Sequence, residues 1–424
     1  MAKRGLLAML GPGLLVAATG VGAGDLATAA FAGGHLGLAC LWAVLVGAFL
    51  KFVLTEGLAR WQLVSGETLL EGAVRRIGRP VRVFFPLYLL PWSYFVGAAL
   101  MSACGATAHA LVPVFDDPAR GKAVFGLASS ALGVVLVLRG GFRLFERLMQ
   151  VCIGLMFVTV VVTAALLKPD LGELARGLFV PTIPGEAADG AGWTMALIGG
   201  VGGTLTVLCY GYWIREEGRE GEGGIGLMRL DLAGGYFVTA AFGLAMVVIG
   251  STVQVEGRGA GLIVDLATRL EERTGALGRW AFLIGAFGAV FSSLLGVWQA
   301  VPYIFADFVR LLRGGAGGGA GGGADPVDTR GAPYRGYLLG LATVPALGLF
   351  TGFATVQKLY AVVGAFFLPL LALVLLLLNG RRGADAVPEA LRNRPATTGT
   401  LLVTLLFFAA FGLRQVARAW GWSL

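Results

Sequence analysis

Residues 11–25 read Gly-Pro-Gly-Leu-Leu-Val-Ala-Ala-Thr-Gly-Val-Gly-Ala-Gly-Asp, and residues 198–206 read Ile-Gly-Gly-Val-Gly-Gly-Thr-Leu-Thr. Both lie inside long apolar runs, yet Gly20, Gly22 and Gly24 in the first and Gly199, Gly200, Gly202 and Gly203 in the second are poor helix formers. A helix in lipid must satisfy its own backbone, so such clusters are tolerated only where unwound chain is enclosed by protein or lines a cavity. Interrupted helices at corresponding places in two halves of a chain are the sequence mark of a secondary transporter's substrate site. The pair predicts an all-α membrane protein that moves a solute through a site near mid-membrane.

The rest of the chain agrees with this reading. Hydrophobic residues make up 57% and charged residues 14%, with a mean hydropathy of +0.79, which leaves little room for a soluble fold. Apolar runs of the length needed to cross ~30 Å of hydrocarbon recur throughout. They predict eleven spans, at 8–33 (broken), 38–62, 83–111, 122–139, 143–167, 193–214 (broken), 230–253, 277–306, 335–353, 357–379 and 397–417. The chain thus reads as one transmembrane domain over 1–424, with spans one to five (8–167) and six to ten (193–379) as its halves and an added eleventh span. An initial Met-Ala-Lys-Arg before an apolar run imitates a signal peptide but lacks a persuasive cleavage site, so it is read as the start of span one.

A net charge of +8 could suggest a nucleic-acid partner, but the basic residues sit in short loops and report topology instead. With the amino terminus inside, cytoplasmic segments hold 20 Lys and Arg residues against 9 on the other side. This asymmetry predicts a multi-pass protein of the cell (inner) membrane with a cytoplasmic amino terminus. The glycine-rich loop at 312–334, in which residues 314–323 are only Gly and Ala, has a flexible linker's composition and no side chains for chemistry. Residues 262–277 alternate apolar and charged and predict an extracytoplasmic amphipathic helix. Cys40, Cys104, Cys152 and Cys209 fall in apolar segments, and His35 and His109 stand alone, so no spacing suggests a disulfide framework, a zinc site or an enzyme's acid–base cluster.

Several stretches resemble Nramp-type divalent-metal transporters. They are Gly-Pro-Gly-Leu-Leu-Val-Ala (11–17), Leu-Ala-Thr after Asp25, Leu-Ala-Arg-Trp-Gln-Leu-Val-Ser-Gly (58–66), Leu-Pro-Leu-Leu-Ala-Leu-Val (368–374) and the Leu-Asn-Gly that ends span ten. The resemblance covers the chain from span one to span eleven. It implies the LeuT-type fold, with spans one to five and six to ten as inverted repeats whose first helices are unwound, and it implies divalent-metal transport. It also exposes departures. The family's Asp-Pro-Gly-Asn in span one is matched here by Gly22, Ala23, Gly24 and Asp25, and its Met-Pro-His in span six by about Gly203, Thr204 and Leu205. Asp25, at the family's Asn position, is the retained candidate for a side-chain metal ligand. Without the thioether, selection for a soft metal loses its physical basis.

Asp25 is accordingly the leading site residue, with Gly22, Gly24, Gly202, Gly203, Thr204 and Thr206 supplying open backbone and hydroxyls around it. An ionised group at mid-bilayer costs at least ~2.5–3.5 kcal/mol, so a carboxylate there is expected to face a cavity and to have a partner. The alternative is that Asp25 only caps the half-helix from Leu26 to Gly33. Lys51 and Glu56 are the other intramembrane charges. Glu56 and Arg60 are spaced to pair, and Lys51 is expected to snorkel or to meet Asp25 or Glu56. Tyr210, Tyr212, Trp213, Trp92 and Tyr94 could form an aromatic wall or an interfacial belt, and Ser292 and Gln299 could line a cavity or pack between helices. The charge run from Arg215 to Glu222 reads as a cytoplasmic network or inner gate. The expected partners are a small cationic substrate and the lipid bilayer, with no nucleic acid and no cofactor beyond a bound divalent cation; the oligomeric state is left open, a monomer being compatible with the sequence. A carrier of an organic cation, amine or amino acid, or a non-transporting sensor, is the alternative.

Overall fold

The computed structural model describes residues 22–139, 154, 157–184, 189–216, 218, 221–253, 261–314, 327–380 and 388–419. The first half of span one, the start of span five, Cys152 and most of the glycine-rich loop lie outside the described residues. Helices account for nearly all of the described chain. A π-helical turn, Ala23–Thr28, leads into α1 (Ala29–Leu36). There follow α2 (Leu41–Ser65), α3 (Leu69–Arg76), α4 (Arg79–Leu111), α5 (Pro118–Arg139), α6 (Phe157–Leu166) and α7 (Leu171–Phe179). The second half holds α8 (Gly190–Gly200), α9 (Cys209–Glu216), α10 (Ile225–Gly250), α11 (Leu262–Leu312), α12 (Ala332–Thr343), α13 (Phe353–Ala365), α14 (Phe367–Asn379) and α15 (Pro395–Ala419).

Among the described residues, eight segments are long and apolar enough to cross a membrane, and they match spans two, three, four, six, seven, eight, ten and eleven. The first of them, Asp25–Ser65, also takes in the second half of span one. Span five is described only over the short apolar α6. Span nine is α12 followed by a tight 3-10 segment, Val344–Phe350, because Pro345 removes a backbone donor just where α12 would continue. The expected amphipathic helix is the opening of α11. It buries Leu262, Ile263, Leu266 and Ala267 while exposing Asp265 and Arg269, and a kink at Gly275 (φ 73°) separates it from the membrane-spanning part.

Burial ranks the spans by position. The apolar window of Gly190–Arg215 is wholly enclosed, whereas that of α15 is 17% buried, so the sixth span is central and the eleventh peripheral. Around the centre, α8 packs on α13, α2 and α1, and α10 packs on α1 and α2. Small residues permit these approaches: a Cβ on Gly47 would stand 2.9 Å from the Ile198 carbonyl oxygen, and one on Gly250 would stand 2.2 Å from that of Ala30. Between lipid-embedded helices such close backbone packing takes the place of a hydrophobic driving force.

Candidate functional site: a buried carboxylate between two helix breaks

The second break falls where the glycines predicted it. α8 ends at Gly200, Gly202 and Gly203 take φ of 76° and 78°, and the chain resumes helical form only in the 3-10 turn Leu205–Leu208 before α9. Left-handed backbone at two successive positions is open to glycine and costly for other residues. In the first span, Gly22 is extended (φ −164°) and the helix begins after it with a π-helical turn that contains Gly24 and Asp25. Gly22 also presses against α11, since a Cβ there would lie 2.1 Å from Ser293 Oγ.

Asp25 joins the two breaks. It is fully buried, and the Gly202 N–H donates to its Oδ1 at 3.1 Å and its Oδ2 at 3.2 Å. Among the described residues the carboxylate therefore binds the opposite break and not the N–H groups of its own half-helix, which argues against the capping alternative. Lys51 closes the same junction from α2. It is 1% exposed, and its Nζ donates to the Gly199 carbonyl at 2.7 Å and to the Val201 carbonyl, with the Asp25 carboxylate within electrostatic reach. Snorkelling is thus ruled out for Lys51, and its carboxylate neighbour is Asp25, not Glu56.

Further oxygens surround this core. The Thr204 hydroxyl accepts from Trp92 Nε1 at 2.9 Å, with the buried Tyr360 phenol nearby. Tyr236 bonds Thr55 at 2.7 Å, and its ring, together with Thr239, faces Gly202. The Thr239 hydroxyl is buried with no hydrogen-bond partner among the described residues. Thr206 is buried in the turn just beyond the break. The donors are all oxygen. Cys209, seven residues beyond Gly202, is turned away onto the Ala300 carbonyl at 3.8 Å, and no group of three His, Cys, Asp or Glu side chains that could hold a metal ion is found among the described residues.

Other expected site residues lie elsewhere. Glu56 pairs with Arg60 at 3.3 Å, as its spacing predicted, and also with Arg229 at 2.7 Å, away from the break. The aromatic wall does not assemble: the Tyr210 hydroxyl donates to Asp231 and that of Tyr212 to Asp307, because buried phenols must find acceptors, and only Trp92 reaches the break. Ser292 donates back to Ala289 within its own helix, so its neighbour Ser293 is the serine that meets the first break. Gln299 is partly buried, with an Oε1 that has no partner among the described residues. Tyr236, Thr239 and Tyr360 were missed. The available signal was a hydroxyl in mid-span, weak beside the glycines.

At the far end of α9 the expected charge lock is centred on an acid that the sequence did not single out. Glu71, 1% exposed, receives Arg215 at 2.9 Å and Arg310 at 2.6 Å, and Arg310 also holds Asp307 at 2.6 Å. Thr68 and Glu71 form a capping box that fixes the carboxylate at the start of α3. Residues 217, 219 and 220 of the run lie outside the described residues. Burial works to raise the pKa of Glu71, but the Thr68 N–H and the two guanidiniums outweigh it and leave the carboxyl below its ordinary 4.5. A depressed folded-state pKa stabilises fully above the unfolded value, and the contribution is lost as pH falls through the lowered one. Glu71→Gln should therefore lower the melting temperature at pH 7, and the difference from wild type should shrink in acid. Its size should fall between the ~1 kcal/mol of an exposed pair and the ~3–5 kcal/mol of a buried one, since both arginines keep some solvent contact. An unchanged melting temperature at pH 7 would show that the lock carries no load.

The chain is 30% identical over 188 residues to metal transporter Nramp3 of Oryza sativa subsp. japonica, covering 44% of this chain and 33% of that one. It is 31% identical over 182 residues to the divalent metal cation transporter MntH of Agrobacterium fabrum, covering 42% and 38%. The matched part thus spans about a third of the length of these curated relatives. Among solved structures it superposes on a manganese transporter from Eremococcus coleocola, crystallised with an aromatic bis-isothiourea compound, with a TM-score of 0.71 at 17% identity, covering 97% of this chain and 87% of that one. The fold is the LeuT-type arrangement; its sixth helix is unwound, and the first span is described only from Gly22, with helical form from Ala23. The profile of the Nramp (natural resistance-associated macrophage protein-like) family matches residues 13–417, and the chain, a multi-pass membrane protein, belongs to that family.

Proposed function

We propose that this protein carries divalent metal cations across a membrane by alternating access, through a mid-membrane site between its two helix breaks. The observation that carries the reading is Asp25: a fully buried carboxylate, held by the Gly202 N–H, at the junction of the two unwound helices. Membership of the Nramp family and the kinship with metal and manganese transporters point to the same cargo class. In this reading Asp25 supplies the charge, and the open backbone at Gly22, Gly24, Gly202 and Gly203, with Thr204 and Thr206, supplies neutral oxygens. Residues 8–167 and 193–379 act as the two repeats that rock about the site, and 397–417 is an added helix. The 20-to-9 charge asymmetry supports a cytoplasmic amino terminus in the cell membrane.

The test is Mn²⁺ entry into proteoliposomes, read with an internal indicator. Saturable, protein-dependent flux supports the carrier; binding without flux would reveal a sensor. An all-oxygen donor set also predicts poor discrimination among hard and borderline ions. Mn²⁺, Mg²⁺ and Ca²⁺ should compete with apparent affinities within about tenfold of one another. A preference for Mn²⁺ above ~100-fold would point to a nitrogen or sulfur ligand or to a rigid, size-selective cage, and would overturn the assignment of an open, all-oxygen donor set.

A further inference from the structure

The Lys51 ammonium sits where a cargo cation's ligands converge. It takes the Gly199 and Val201 carbonyls at the C-terminal end of α8, and the Asp25 carboxylate lies within electrostatic reach. These are the groups that would attract any cation. The end of a helix concentrates unsatisfied carbonyls and partial negative charge, and the break at Gly202 removes the next turn that would have masked them. An ammonium is a compact point charge with three donors and no acceptor, so it satisfies such oxygens much as a small hard ion does. Lys51 is 1% exposed, and no solvent screens it from the carboxylate. A buried ammonium must be hydrogen-bonded, and here its acceptors are the two carbonyls at the second break.

We propose that Lys51 is a tethered cation that holds the transport site closed in place of cargo and must withdraw its ammonium when a divalent ion enters. The inference rests on the carrier reading above and adds a regulator to the same site. Without cargo, the ammonium keeps the break carbonyls satisfied and offsets the charge of Asp25, so the two unwound helices stay joined and the unloaded carrier can return. With cargo at Asp25, the ion and the ammonium on the adjoining carbonyls repel one another across the same junction, and binding becomes an exchange. The tether lowers apparent affinity and thereby assists release.

The experiment is a titration of purified protein with MnCl₂, read by calorimetry and by melting temperature, for wild type, Lys51→Met, Lys51→Gln and the double variant Asp25→Asn/Lys51→Met. Removing the competing charge should tighten Mn²⁺ binding in Lys51→Met by about tenfold or more. The metal-free variant should melt lower than wild type and gain more from Mn²⁺, because a ligand that binds only the folded state stabilises by mass action. The double variant should lose that gain, which ties it to the junction. Lys51→Gln keeps a donor for the carbonyls without the charge, and it should fold and bind more tightly than wild type even where the Met variant fails to fold. In proteoliposomes, Lys51→Met should retain Mn²⁺ exchange while net uptake falls, since the unloaded return has lost its internal cation. Equal or weaker Mn²⁺ binding in both Lys51 variants, beside a wild type that transports, overturns the tethered cation and leaves the carrier reading standing. Absence of Mn²⁺ binding and flux in wild type and variants alike overturns both.

Discussion

Asp25→Asn is expected to abolish cation transport while leaving the protein folded. Asn preserves the shape of the side chain, and its amide oxygen can still accept from the Gly202 N–H, which now bonds both carboxylate oxygens. Only the charge is lost. Truncating a buried, hydrogen-bonded charge partner typically costs 2–5 kcal/mol of binding, so uptake at limiting Mn²⁺ should fall by at least ~30-fold. Asp25→Ala should be as inactive and less stable, because the buried Gly202 N–H then has no acceptor, a penalty of about 1–3 kcal/mol. The two variants thus separate charge from structure: equal loss of transport, unequal loss of stability. Wild-type uptake in the Asn variant would remove Asp25 from the binding site and return it to a structural role.

The second large effect is expected at Gly202. Its φ of 76° is strained for any residue with a Cβ, and an added Cβ would stand 3.1 Å from the Tyr236 ring and 3.2 Å from Thr239. Gly202→Val would pay roughly 1–2 kcal/mol for left-handed backbone and about 1–3 kcal/mol for overpacking. Relief would come by rotating the peptide that presents its N–H to Asp25, so transport should be lost together with stability. Gly336, inside α12 with open space around its would-be Cβ, is the control: Gly336→Ala should leave transport unchanged and stability equal or slightly higher. A Gly202→Val protein with normal uptake and melting temperature would show that the second break does not shape the site.

The two breaks were legible because glycine in a lipid-spanning run contradicts both helix propensity and backbone satisfaction, a conflict visible without any neighbour. Asp25 and the Glu56–Arg60 pair were legible for similar reasons: one is a charge out of place, the other a spacing of four on one helix. What could not be read was pairing across the chain. Lys51 meets carbonyls about 150 positions away, and nothing in its own surroundings says that it bonds backbone and not a carboxylate. Glu71 looked like one more loop acid until folding brought Arg215 and Arg310 to it. The aromatic residues misled because a tyrosine at a helix end looks the same whether it faces cargo or donates to a buried acid such as Asp231 or Asp307. Backbone ligands are the least legible of all, since every residue carries the same carbonyl.

The most direct measurement is anomalous diffraction from crystals of the protein equilibrated with saturating Mn²⁺. One anomalous peak is expected at the junction of the two breaks, within about 2.0–2.6 Å of an Asp25 carboxylate oxygen, the range of hard divalent ions on oxygen ligands. The Lys51 ammonium should be withdrawn from the Gly199 and Val201 carbonyls. A Mn²⁺ peak elsewhere in the bundle, with Asp25 still bonded only to the Gly202 N–H, would contradict the assignment.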